Sequence, residues 1–168
     1  ITNESGTRLQ RYLSAAVDAA RRGVQVRVLL DSAWFNTEDE ADNDEQVALI
    51  NRIAAAEGLP LEARLVDLQA HDLTKVHTKG VVVDGQRVLV SSINWNENSP
   101  SFNREAGVIV DALATGAYFT AAFDSDWGSG SDLSAAAARR GVDWQRIGIA
   151  GVVLVGVAAV VLVRKRRG

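Results

Sequence analysis

The chain has 168 residues, 21 acidic and 18 basic, with a net charge of −3, two histidines and no cysteine. That length leaves room for a single domain of about 130 residues with a real core once the apolar C-terminal run is set aside. The lack of cysteine excludes disulfides and thiolate metal sites, and the acidic surplus, gathered between Glu38 and Glu45, weighs against a broad nucleic-acid-binding face.

Between Arg8 and Arg22, Leu9, Leu13, Ala16, Val17 and Ala20 recur at helical spacing, and Gly23 stands where a helix would end. Val24 to Leu30 then reads as a strand entering the core. A second amphipathic helix is expected from Glu45 to Glu57, with Val47, Ile50, Ile53 and Ala54 on one face. Gly58, Leu59 and Pro60 stop it before a strand at Glu62 to Val66. Two more strands flank Asp84-Gly85, a dipeptide favoured in tight hairpins. Another, Ala106 to Val110, precedes a helix from about Thr115 to Trp127. Helices alternating with apolar strands indicate an α/β sandwich.

From Gly128 the texture changes to a glycine- and serine-rich stretch and an alanine run, read as a linker over 128–145. Ile147 to Val163 are 17 uncharged, apolar positions, near the lower limit for a helix that crosses a bilayer, and Arg164, Lys165, Arg166 and Arg167 follow at once. A buried core helix or strand pair competes with this reading. Apolarity on every face, a terminal position and the basic stop favour a transmembrane helix, giving an anchor over 146–168. The positive-inside rule puts the basic tail in the cytoplasm and residues 1–127 outside, as a single-pass protein of the cell membrane. Such an orientation needs an export signal. The chain opens at Ile1 without methionine or an apolar leader, so it reads as a piece of a longer product.

One stretch names a chemistry: HTKGVVVDGQRVLVSSIN, from His77 to Asn94. A histidine and a lysine two apart on an extended segment point to the same side, placing a nucleophilic imidazole beside a fixed positive charge. That pairing suits attack on a phosphodiester. With Asp84, Ser92 and Asn94, the pattern resembles the signature of the phospholipase D superfamily of phospholipases, phosphatidyltransferases such as cardiolipin synthases, and metal-independent nucleases. The resemblance spans roughly Arg8 to Trp127 and implies an α-β-α sandwich with a mixed sheet.

It also implies roles. His77 would attack phosphorus and form a phosphohistidine, Lys79 would neutralise the non-bridging oxygens, and Ser92 and Asn94 would donate hydrogen bonds to the same oxygens. Glu105, in an Asn-x-Glu context with Asn103, would accept from the imidazole and orient it. Asp84 belongs to the motif, yet Asp-Gly between two valine-rich strands is also what a hairpin turn would choose, and that role is preferred. No metal or other cofactor is required, because two histidines without cysteine, beside an ammonium, make a poor cation site. His71 lacks a lysine two residues on and reads as a loop histidine. Ser91 stands where the family usually carries glycine, so its side chain would crowd the phosphate or be tolerated.

In this family two His-x-Lys motifs face each other across one site, the second histidine protonating the leaving alcohol. This chain carries one, so its partner is expected from a missing N-terminal lobe or from a homodimer. The function expected is a metal-independent phosphodiesterase or phosphatidyltransferase acting on phospholipids. A nuclease of the same family is the alternative, and a non-catalytic lipid- or partner-binding lobe a third. Trp34, Phe35 and Trp95 are candidates for a lipid-contacting rim, with ordinary packing preferred.

Overall fold

The computed structural model describes residues 9–33, 43–130 and 159–165. Along the chain run α1 (Arg11–Arg21), β1 (Val24–Leu30), α2 (Asn43–Glu57), β2 (Leu61–Leu65), a 3-10 turn (Gln69–His71), β3 (Lys79–Val83), β4 (Arg87–Ser91), α3 (Ser99–Phe102), β5 (Gly107–Asp111), α4 (Leu113–Ser129) and β6 (Ala159–Lys165). Among the described residues the strands form one sheet in the order β2-β1-β6-β3-β4-β5. β1 and β2 are parallel, whereas β3, β4 and β5 form an antiparallel meander. The sheet is therefore mixed.

Strand alternation decides which side chains meet which helices. Val26, Val28 and Leu30 of β1 join Leu13, Val17 and Ala20 of α1 and Val47, Ile50 and Ile53 of α2 in one buried cluster. Leu29, Val82 and Val88 point to the other face, where Phe123 and Trp127 of α4 cover them together with Val66. Helices thus pack on both faces, α1 and α2 over β1 and β2 and α4 on the other side, the three layers of an α-β-α sandwich, while Val108 and Ile109 of β5 stay exposed. Arg27, on the α4 face, lies 4.9 Å from the Phe123 ring centroid and donates to Asp124 at 2.6 Å, so its stem covers the rings while its charge is paired.

β2 is an outer strand, and its open edge is closed locally by one side chain. Asn51 of α2 donates to the Ala63 carbonyl at 2.9 Å and accepts from the Ala63 N–H at 2.7 Å. At the other end of the chain's meander, Asp84 (φ 52°) and Gly85 (φ 65°) make the β3–β4 hairpin, and the Gln86 N–H closes it on the Val83 carbonyl at 3.1 Å. Positive φ at both central positions is the requirement of the tightest hairpin turn.

The C-terminal segment departs from expectation. Ala159–Lys165 form β6, which lies between β1 and β3, antiparallel to the first and parallel to the second. The expected helix over 147–163 therefore does not extend through its last five positions; residues 146–158 lie outside the described residues. Among the described residues no helix is long and apolar enough to cross a membrane. The physical reason is an ambiguity in the pattern itself. A run rich in β-branched residues and apolar at every position suits a central strand with both faces covered as well as it suits a lipid-facing helix.

Candidate functional site

The mixed topology brings four chain segments to one end of the sheet: the C-terminal ends of β1 and β4, and the approaches to β3 and β5. His77 sits in extended chain immediately before β3 and is exposed, whereas Lys79, the first residue of β3, is only 4 % exposed. The Lys79 ammonium donates to the His77 carbonyl at 2.9 Å, folding the lysine back along its own motif. Val76, between these groups and Lys75, turns its side chain into the Phe123–Trp127 core. Alternation then puts Lys75, His77 and Lys79 on the opposite side together.

The electrostatics follow from that placement. Burial is the largest influence on His77 and, with the charges of Lys79 and Lys75, lowers its pKa from the usual 6.5; Asp31 pulls the other way. The neutral imidazole, the state a nucleophile requires, is thereby favoured. Burial and Lys75 also bring the Lys79 ammonium down to about 8, against the opposing pull of Glu105 and Asp31. It remains mostly charged at neutral pH.

Glu105 precedes β5 and is held by side chains from three positions. Ser92 donates to its Oε2 at 2.5 Å, Ser99 donates to its Oε1, and Asn103 donates to the same Oε1 at 3.1 Å. These bonds, Ser92 first, lower its pKa and keep it a carboxylate, with Lys79 adding to the effect. Among the described residues Glu105 makes no hydrogen bond to His77. Its charge acts on Lys79 instead, and Ser92 spends its hydroxyl hydrogen on Glu105 while accepting from the Ala106 N–H at 3.0 Å. Asn94 is in the same turn: its N–H donates to Ser99 Oγ at 3.0 Å, and its side-chain Oδ1 is buried with no hydrogen-bond partner among the described residues.

Asp84 is not brought to this end. It occupies the hairpin at the opposite end of β3, about 15 Å along the strand from Lys79. Ser91 finds its space in a neighbour: it pairs with Gly107 across β4–β5, and a side chain at Gly107 would approach Ser91 Oγ to 3.3 Å. Its hydroxyl accepts from the Ile93 N–H at 3.0 Å. His71 lies apart from His77, bonded to Ser129 Oγ at 2.5 Å with Asp126 at 3.7 Å, where it ties the 3-10 turn to the end of α4. Trp95 is 7 % exposed and packs on Tyr12 at 5.5 Å, so it belongs to the core; Trp34 and Phe35 lie outside the described residues.

Three residues at the site went unnamed in the sequence: Asp31, Lys75 and Ser99. Asp31 is 1 % exposed, and its Oδ1 accepts from the Val76 N–H at 2.7 Å. A carboxylate ending the apolar run Val24 to Leu30 was the available signal, since a buried charge needs a partner. Among the described residues no group of three or more histidines and carboxylates is placed to hold a metal ion.

A three-layer lobe whose sheet end carries an exposed neutral imidazole, a buried ammonium and a braced carboxylate is a PLD-like lobe. The family described as cardiolipin synthase, PLD-like domain, matches residues 8–127, and the chain belongs to it. That superfamily comprises phosphodiesterases and phosphatidyltransferases, and its domains are generally enzymatic. No curated protein and no solved structure matches the chain.

Proposed function

We propose that the protein is a metal-independent phosphodiesterase or phosphatidyltransferase that acts on phospholipids through a phosphohistidine at His77. The observation that carries this reading is the buried Lys79 ammonium, bonded to a backbone carbonyl, beside an exposed imidazole whose neutral form is favoured. A fixed cation in a partly desolvated place gains most when an anionic, pentacoordinate phosphorus centre forms next to it. Asn94 lies in the turn that Ser99 braces, and its side-chain Nδ2 is the group that would donate to a phosphate oxygen. The Glu105 carboxylate helps to keep Lys79 charged. A second His-x-Lys motif, from a partner lobe in the same product or from a second copy, protonates the leaving alcohol. On this reading the lobe works at a phospholipid surface on the extracytoplasmic side, reached without a helix over 147–163, because 159–163 are paired in β6 between β1 and β3.

The test is phosphodiester turnover in phospholipid vesicles with EDTA present, followed by phosphorus NMR, for wild type and His77→Ala, with duplex DNA as a parallel substrate. Lipid turnover abolished by the substitution is the expected result, and the product separates hydrolysis from transfer. DNA cleavage alone would put the nuclease in its place, and activity on neither substrate would leave a binding lobe.

A further inference from the structure

We propose that Asp31 is a positioning residue of this site: its carboxylate fixes the backbone at Val76 and stands as the counter-charge behind the His77–Lys79 pair. The inference rests on the phosphodiesterase reading above and names a part of its machinery that the motif does not contain.

The placement of Asp31 is itself determined by neighbours on two elements. Leu30 just before it accepts from the Val66 N–H at 3.0 Å, and Ser32 just after it donates to the Val66 carbonyl at 2.7 Å. Its own carbonyl accepts from Asn43 Nδ2 at 2.7 Å, and Asn43 is fully buried at the start of α2. The end of β1 is therefore a fixed origin for the carboxylate. From there Oδ1 takes the Val76 N–H at 2.7 Å. Val76 is thus held twice, by its side chain in the Phe123–Trp127 core and by its N–H on Asp31, one residue before the nucleophile. Positions are transmitted over one peptide unit with little slack.

Charge makes the second half of the argument. The groups acting on His77 are the ammonium groups of Lys79 and Lys75 and the carboxylate of Asp31. Those acting on Lys79 are Lys75, Glu105 and Asp31. Asp31 is the carboxylate common to both, whereas Glu105 reaches Lys79 alone. A buried carboxylate that acts on both groups offsets the repulsion between the two ammonium groups and helps keep the lysine charged.

Asp31→Asn separates this role from a purely structural one, because the amide oxygen can still accept from Val76 while the charge is gone. The chain has two histidines, so His77 can be followed alone by NMR titration of the full chain. In Asp31→Asn the midpoints of His77 and Lys79 are expected to move down, Lys79 to below the wild-type value of about 8. kcat in the vesicle assay is expected to fall about 10-fold with little change in KM, because the counter-charge is gone while the hold on Val76 is kept. Unmoved midpoints in a folded Asp31→Asn chain overturn the proposal, as does an unchanged kcat. Should Asp31→Asn fail to fold, Asp31→Ser, also neutral and able to accept, is read the same way. In the wild type the Val76 amide is expected to exchange slowly with solvent, and fast exchange overturns the anchor by itself. The titrations need no substrate, so they report on Asp31 even where no phosphodiester is turned over; conversely, loss of turnover in His77→Ala with unmoved midpoints in Asp31→Asn removes Asp31 alone.

Discussion

At the scale of single residues, function turns on two groups that must hold opposite protonation states. His77 acts as a neutral base and Lys79 as a cation, so kcat/KM is expected to rise with pH through a midpoint below 6.5 and to fall again near pH 8. Lys79→Arg, always charged, is expected to remove the alkaline fall. A wild-type profile flat up to pH 9 would contradict the assignment of Lys79. The same lysine has a thermodynamic signature. Its folded pKa lies below its unfolded one, so the unfolded chain binds more protons between about pH 8 and 10.5, and stability rises with pH across that window. The burden of a buried ammonium is fully present below pH 8 and absent above 10.5. Lys79→Met is therefore expected to raise Tm at pH 7, by about 2–4 °C for each kcal/mol recovered, while abolishing turnover. Thermal melts at pH 7 and pH 10, with turnover alongside, check both halves. The motif residues His77 and Lys79 were legible because their spacing alone sets their common side. The partners of Glu105 were not, because Ser92 and Ser99 come to it from a turn whose path composition does not dictate.

Among the elements, α4 shows how closely this sandwich is packed. Gly116, in its first turn, faces the β3–β4 hairpin, and a Cβ there would lie 2.1 Å from the Gly85 carbonyl oxygen. That neighbour is backbone and cannot swing aside. Gly116→Ala would gain about 1 kcal/mol of helix propensity but must push the hairpin away, an overpacking cost of about 1–3 kcal/mol or more. A lower Tm is expected, and a Tm at or above wild type would show that α4 does not rest on the hairpin. This contact also explains Asp84. The motif residue for which a turn role was preferred over a chemical one is a turn residue at the far end of β3, and its Asp-Gly pair forms the surface on which α4 begins. α1, α2, α4 and β1 through β5 were readable from periodicity and turn chemistry, with boundaries shifted by a few residues. α3 and the 3-10 turn were not, since a four-residue helix and a three-residue turn offer too little periodicity to detect.

For the molecule as a whole, the assignment that matters most is that of the C-terminal apolar run. β6 joins β1 to β3, and without it the two halves of the sheet share no strand ladder among the described residues. A chain ending at Ala158 is expected to lose cooperative unfolding and several degrees of Tm, because both facing edges would carry unpaired N–H and C=O groups. An identical melt would show that the run is free to enter a bilayer, where protease protection in vesicles would then find it. The same substitution-free comparison bears on the proposed seat at a membrane, since residues 159–163 cannot at once pair with β1 and span lipid.

The sequence by itself determined the α/β class, the faces of α1 and α2, the hairpin at Asp84-Gly85 and the motif that carries His77 and Lys79. Each is a local matter of period, turn chemistry or spacing. Tertiary structure alone decided that Glu105 is held by Ser92 and Ser99, that Ser91 is accommodated opposite Gly107, that Asp31 reaches Val76, and that an apolar run lies in the sheet's centre. Those outcomes depend on which strands become neighbours, and hydrophobicity is non-directional: it says that a segment is to be buried, not beside what.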